Sequence, residues 1–137
     1  MVSAVNKSIL IVDNDPSLLR ALGKTLSGAG ALVATSQSVA DAIEVLSNRR
    51  RQIDLVIADL RMPFVTGMTL LHVIRETFPA LPVIVLTGFG TPKLKAECLR
   101  QGATAFLEKP VATTQLLAAI RRVFAGHPGG PEPAPPG

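Results

Sequence analysis

The chain of 137 residues has no tryptophan, no tyrosine, five phenylalanines and one cysteine, Cys98. A single cysteine excludes an intramolecular disulfide and suits a reducing compartment. No apolar run approaches the roughly 20 residues that a bilayer-spanning helix needs. The start, MVSAVNKSILIV, lacks the basic start and long apolar stretch of a secretory signal. A soluble, cytoplasmic protein without membrane contact is therefore expected. Charge of one sign is in modest excess, +4, but its compact runs are only Arg49–Arg51 and Arg121–Arg122. No helix-turn-helix, zinc-finger or aromatic stacking pattern accompanies them, so they read as solvated helix ends and loops rather than a nucleic-acid surface. The scarcity of aromatics leaves Leu, Val, Ile and Ala to build the core. The length suits one domain with a core of real size.

What is present is a regular alternation. Five apolar stretches of strand length occur: Ser8–Val12, Ala31–Thr35, Asp54–Asp59, Val83–Thr87 and Thr104–Leu107. Between them run segments of helical period, with Leu18, Leu22, Thr25 and Leu26 sharing the first face. Val39, Ala42, Ile43 and Leu46 form the second face, and Leu70, Leu71, Ile74 and Phe78 the third. Leu94 and Cys98 mark a weaker fourth helix, and Leu116, Ile120, Val123 and Phe124 a fifth. Capping residues punctuate the pattern: Asp15 before Pro16, Ser38 with Asp41, Thr91 before Pro92, and glycines 28, 30 and 102 after helices. Alternation of this kind predicts a parallel sheet with helices on both faces. The first, third and fourth strands are nearly all Val, Ile and Leu and should be central, while ALVAT should lie at an edge. Residues 1–124 are expected to form the domain. Residues 125–137, AGHPGGPEPAPPG, should be a disordered tail or linker stub.

Polar residues interrupt this pattern in one kind of place. Asp13 and Asn14 end the first strand, Asp59 the third and Thr87 the fourth, and Lys109 follows the fifth. In an open parallel sheet these ends share one edge, where ligands bind. Each residue alone has a bland explanation as a turn, cap or solvated group; their coincidence does not. Clustered carboxylates favour a hard divalent cation. A carboxylate beside Mg²⁺ is a competent nucleophile towards phosphorus, and an ammonium and a hydroxyl would neutralise the phosphoryl oxygens. The pattern reads as a phosphoryl acceptor. His72, on the polar face of the third helix, and His127, in the tail, read as solvated.

The motifs IVDNDPS, DLVIADLRMPFVTG, VIVLTGFG and GATAFLEKP together resemble the receiver domains of two-component response regulators, from residue 7 to about residue 124. The resemblance implies a (βα)5 flavodoxin-like fold with strand order 2-1-3-4-5, that of the chemotaxis receiver. It implies that Asp59 accepts a phosphoryl group from a histidine kinase or phosphotransfer protein. Mg²⁺ would be held by Asp13, Asn14, Asp59 and the backbone carbonyl of Arg61. Thr87 and Lys109 would contact phosphoryl oxygens, and Phe106 would match an aromatic that swings inward as Thr87 moves, although an ordinary core role explains it equally well. Arg61 and Phe89 would flank the path of hydrolytic water, and Phe89 would obstruct it. Output would pass through the face of the fourth helix, fifth strand and fifth helix, to another protein or by homodimerisation. Such a module signals rather than acting as an enzyme.

Asn14 departs from the family, which places a carboxylate there; an amide oxygen still ligates Mg²⁺ but adds no charge, so weaker metal binding is expected. Two alternatives stand beside this reading. Asn14 favours an unphosphorylated receiver-like interaction module, and Asp59, Thr87 and Lys109 oppose it. The Asp-x-Asp of IVDNDPS also fits a haloacid-dehalogenase-like phosphatase with Asp13 as nucleophile, but the metal carboxylates such an enzyme needs downstream of Lys109 are missing from the folded part.

Overall fold

Strand and helix alternate five times in the computed structural model, which describes residues 6–48, 50, 52–61, 67–88 and 90–126. The order is β1 (Ser8–Val12), α1 (Pro16–Gly28), β2 (Leu32–Ser36), α2 (Val39–Ser47) and β3 (Leu55–Ala58). It continues with α3 (Gly67–Thr77), β4 (Val83–Thr87), α4 (Pro92–Arg100), β5 (Ala105–Glu108) and α5 (Thr113–Phe124). All strand pairs are parallel, in the order β2-β1-β3-β4-β5. The order reverses direction between β1 and β3, which places the C-terminal ends of those strands at the switch point where ligands bind.

Alternation along each strand divides the core into two layers. Leu10, Val12, Val56, Ala58, Val83, Val85 and Phe106 face α2, α3 and α4. Ile9, Ile11, Leu55, Ile57, Ile84 and Leu86 face α1 and α5. The central strands β1, β3 and β4 are therefore buried on both sides, as their continuous apolar sequences predict. β2 is an edge, and its Leu32 is 72% exposed.

The helical faces follow the predicted periods except in α1. Asp15 caps this helix, its carboxylate accepting from the backbone N–H groups of Ser17 (2.9 Å) and Leu18 (3.4 Å). With the helix so started, Leu19 and Leu26 turn inward and Leu22 packs beside them, while Leu18 sits at the rim. Of the predicted Leu18, Leu22, Thr25 and Leu26 stripe, Leu22 and Leu26 pack inward as expected, and Leu19 takes the place expected of Leu18. Gly28 lies inside α1; Gly30 alone takes a left-handed conformation there, with φ of 97°. The expected caps of α2 and α4 form: Ser38 Oγ accepts from Asp41 N–H at 3.1 Å, and Thr91 Oγ1 from Leu94 N–H at 3.1 Å.

Strand boundaries shift slightly where polar side chains take over. Asp54 stands outside β3, its Oδ2 accepting from Ser8 N–H at 2.8 Å. Thr104 stands outside β5, its Oγ1 accepting from Val83 N–H at 3.2 Å. α5 ends at Phe124. Phe89, His127 and the rest of the predicted tail beyond Gly126 lie outside the described residues.

Candidate functional site

Four strand ends deliver the polar centre. Asp13 follows β1, and its backbone N–H donates to the carbonyl of Ser36 at 3.1 Å. Asp59 follows β3 and donates to the carbonyl of Val12 at 3.0 Å. Lys109 follows β5 and donates to the carbonyl of Thr87 at 2.9 Å. The strand ladders thus continue one residue past each strand and fix where these side chains leave the sheet.

The side chains then meet. Lys109 Nζ donates to Asp13 Oδ2 at 2.7 Å and to Asp59 Oδ2 at 3.0 Å. The second oxygen of each aspartate is held by a backbone amide two residues ahead. Asp13 Oδ1 accepts from Asp15 N–H at 2.9 Å, and Asp59 Oδ1 from Arg61 N–H at 3.1 Å. Asp13 and Asp59 are 3% and 7% exposed, and Thr87 is fully buried. Two carboxylates this close and this dry repel each other, so the shared ammonium is what makes the arrangement tolerable. Burial pushes the Lys109 ammonium towards its neutral form. Its hydrogen bonds to Asp13 and Asp59 and their charges outweigh that effect and hold its pKa above the usual lysine value.

The remaining predicted residues fall around this centre. Asn14 and Arg61 are exposed beside it. Asp15 is engaged as the cap of α1 rather than in the centre. Phe106 is buried in the layer under α2, α3 and α4, in register with Val85 of β4. Phe89 lies outside the described residues, and His72 is exposed on α3. The sequence reading did not single out Ser36, buried at the end of β2, whose carbonyl anchors Asp13. Its signal was the place itself, the C-terminal end of an edge strand beside the acid loop.

Every donor the two aspartates, the Asn14 amide and nearby backbone carbonyls offer is oxygen, the set a hard cation prefers. Among the described residues, no three His, Cys, Asp or Glu side chains gather as a metal site. The centre brings two carboxylates, with an amide standing at Asn14. Downstream of Lys109 the described residues contain no Asp or Glu. The further carboxylates required by the haloacid-dehalogenase-like alternative are therefore not supplied there. No described helix is long and apolar enough to cross a membrane.

Comparison with known proteins agrees with this geometry. The family model described as "Response regulator receiver domain" matches residues 9–121. The transcriptional regulatory protein GlrR of Escherichia coli K12 is 42% identical over 112 residues, which are 82% of this chain and 25% of that protein. The chain thus spans about a quarter of the length of the curated relatives it matches. Among solved structures, a response regulator receiver domain protein from Clostridium thermocellum superposes with a TM-score of 0.82 at 30% identity, covering 88% of this chain and 95% of that one. The beryllofluoride-activated NtrC4 receiver domain dimer gives a TM-score of 0.80 at 27% identity, covering 87% and 97%. With its strand order, its acid–lysine centre and these matches, the chain belongs to the response regulator receiver domain family.

Proposed function

We propose that Asp59 is the residue on which this receiver accepts a phosphoryl group, from a sensor histidine kinase or a phosphotransfer protein. The observation that carries the reading is Lys109, whose one ammonium bridges Asp13 and Asp59 at the end of the sheet. A carboxylate oxygen of Asp59 forms the bond to phosphorus as the bond from phosphorus to the donor's imidazole nitrogen breaks. Lys109 is placed to balance charge on the incoming oxygens, and Thr87, at the end of β4, to donate to another. Asp13, Asp59, the Asn14 amide and the Arg61 carbonyl would hold Mg²⁺. When bound, the ion would neutralise phosphoryl oxygens during transfer. With two carboxylates in place of three, its affinity should be reduced.

Residues 1–124 form the receiver in this reading, with 125–137 as tail or linker, and the protein works in the cytoplasm. Output runs through the α4–β5–α5 face, to a protein partner or a second copy. A similar receiver solved as an activated dimer supports the second route. By the family pattern Arg61 and Phe89 would hold the positions that govern hydrolysis, and an aromatic there would slow loss of the phosphoryl group. The unphosphorylated-module alternative draws support from Asn14 alone.

Incubation with acetyl phosphate should label the protein in the presence of Mg²⁺ and leave it unlabelled with excess chelator. Asp59→Asn should abolish labelling. Undiminished labelling of that variant would overturn the assignment.

A further inference from the structure

The sheet ends at β2, and among the described strands none pairs with its outer side. Leu32 N–H donates to the Lys7 carbonyl at 2.9 Å, and the Ser36 carbonyl accepts from Asp13 N–H at 3.1 Å. In a parallel ladder alternate residues turn their backbone groups to a given neighbour, so Leu32, Ala34 and Ser36 serve β1. Val33 and Thr35 therefore point their N–H and C=O groups away from the sheet. They form an open row of backbone donors and acceptors, the template on which a further strand assembles. Beside that row stands Leu32, the one large apolar side chain left exposed among the described residues.

What flanks the row is positive. On the α1 side, exposed Arg20 lines a small groove with Thr35 and Gln37. Exposed Lys24 follows one turn later, next to Gly23, whose Cβ would stand 3.7 Å from Val33 Cγ1. At the other end of the strand Arg50, in the loop after α2, lines a second groove with Leu32, Gln52 and Ile53. No Asp or Glu lines either groove. Among the described residues none of these three cations is paired with a carboxylate.

We propose that the β2 edge takes an acidic, extended peptide segment as a sixth strand. Val33 and Thr35 supply the main-chain ladder, Leu32 packs on an apolar side chain of the guest, and Arg20, Lys24 and Arg50 meet its carboxylates. Arg20 stands beside Thr35 and Arg50 beside Leu32, a separation of about 10 Å along a strand. Side chains three positions apart leave a strand on opposite faces, so carboxylates at that spacing reach one cation beside α1 and one after α2. The charges also decide between occupants. A second copy of the chain would bring these cations against their own duplicates, which guards the edge from self-pairing. The stretch HPGGPEPAPPG is rich in proline, which has no N–H to give a ladder. A nucleic acid has the right charge but nothing that continues a peptide ladder. Binding at this edge is separate from phosphoryl transfer, which the labelling of Asp59 reports.

The probe is a capped synthetic peptide of alternating valine and threonine that carries two glutamates three positions apart. Added to the full chain, it should slow hydrogen exchange of the Val33 and Thr35 amides several-fold by NMR, and unchanged exchange would overturn the proposal. The same peptide with N-methylated backbone amides keeps its charges but loses its ladder donors. By calorimetry it should bind at least tenfold more weakly, and equal binding would overturn the proposal. Arg20→Gln combined with Arg50→Gln removes two exposed charges and should weaken binding of the unmethylated peptide several-fold; undiminished affinity would count against an acidic guest. An oligothymidylate that slowed exchange at Val33 and Thr35 as well as the peptide does would overturn the choice of occupant. So would dimerisation of the peptide-free chain that protected the same two amides.

Discussion

The two ends of the sheet carry the same kinds of residue and do different things with them. At the N-terminal end, Asp54 gives an oxygen to Ser8 N–H, and Thr104 gives its hydroxyl oxygen to Val83 N–H. Arg75 donates to the carbonyls of Pro79 and Leu81 on the approach to β4. Each polar side chain there completes a neighbouring backbone group. At the C-terminal end, Asp13 and Asp59 each give one oxygen to a local amide and turn the other towards a single ammonium. An aspartate at a strand end is therefore not a site in itself. It becomes one where part of its bonding capacity faces other side chains across the switch point instead of its own chain.

The largest break in this comparison should come from Lys109→Met. Removing the shared cation leaves two buried carboxylates facing each other, and loss of one partner from a buried ion cluster costs about 3 kcal/mol. The same residue sets an alkaline limit. Because its folded pKa is raised above the ordinary value of 10.5, its stabilising contribution is complete below that value and disappears as pH climbs through the folded one. Denaturant unfolding from pH 8 to pH 12 should show this decline in the wild type and lack it in Lys109→Met.

At the opposite end, Asp54→Ala should cost about 1 kcal/mol, the effect of leaving one backbone N–H of a strand without its acceptor. It should leave acetyl phosphate labelling unchanged, and a loss of labelling would dissolve the distinction between the two ends. Asn14→Asp sharpens the comparison from within the site. A third carboxylate near Asp13 and Asp59 should lower stability without metal by about 1 kcal/mol, the repulsion of charges a few ångströms apart in a wet environment. It should also tighten Mg²⁺ binding and speed phosphorylation. Melting curves across a Mg²⁺ titration should therefore rise more steeply for the variant than for the wild type. A flatter rise would take Asn14 away from the metal.

The smallest effect lies between the two ends. Gly23, within α1, would carry a Cβ 3.7 Å from Val33 Cγ1, an ordinary contact. Gly23→Ala should stabilise by about 0.5 kcal/mol by restricting the unfolded chain, with no change at either end. Thermal melts would detect the gain.

How far the fold was legible depended on how strongly each element was constrained. The apolar strands β1 and β4 were read to the residue because burial on both faces leaves no choice of side chain. β2 was placed at the edge but one residue early, since an exposed strand tolerates polar residues at either boundary. In α1 Leu22 and Leu26 pack as expected, but Leu19 rather than Leu18 turns inward, because the two leucines are equivalent in composition and only the cap at Asp15 decides between them. For the site, the sequence brought Asp13, Asp59, Thr87 and Lys109 to one edge, since strand topology does that by itself. It could not show that one ammonium spans both acids, which depends on side-chain directions.

The most direct test of the central claim is to map the phosphoryl group after reaction with acetyl phosphate and Mg²⁺, by peptide mass analysis of borohydride-trapped protein. The account predicts a single modified residue, Asp59, with Asp13 unmodified. Modification of Asp13, with Asp59 untouched, would contradict it.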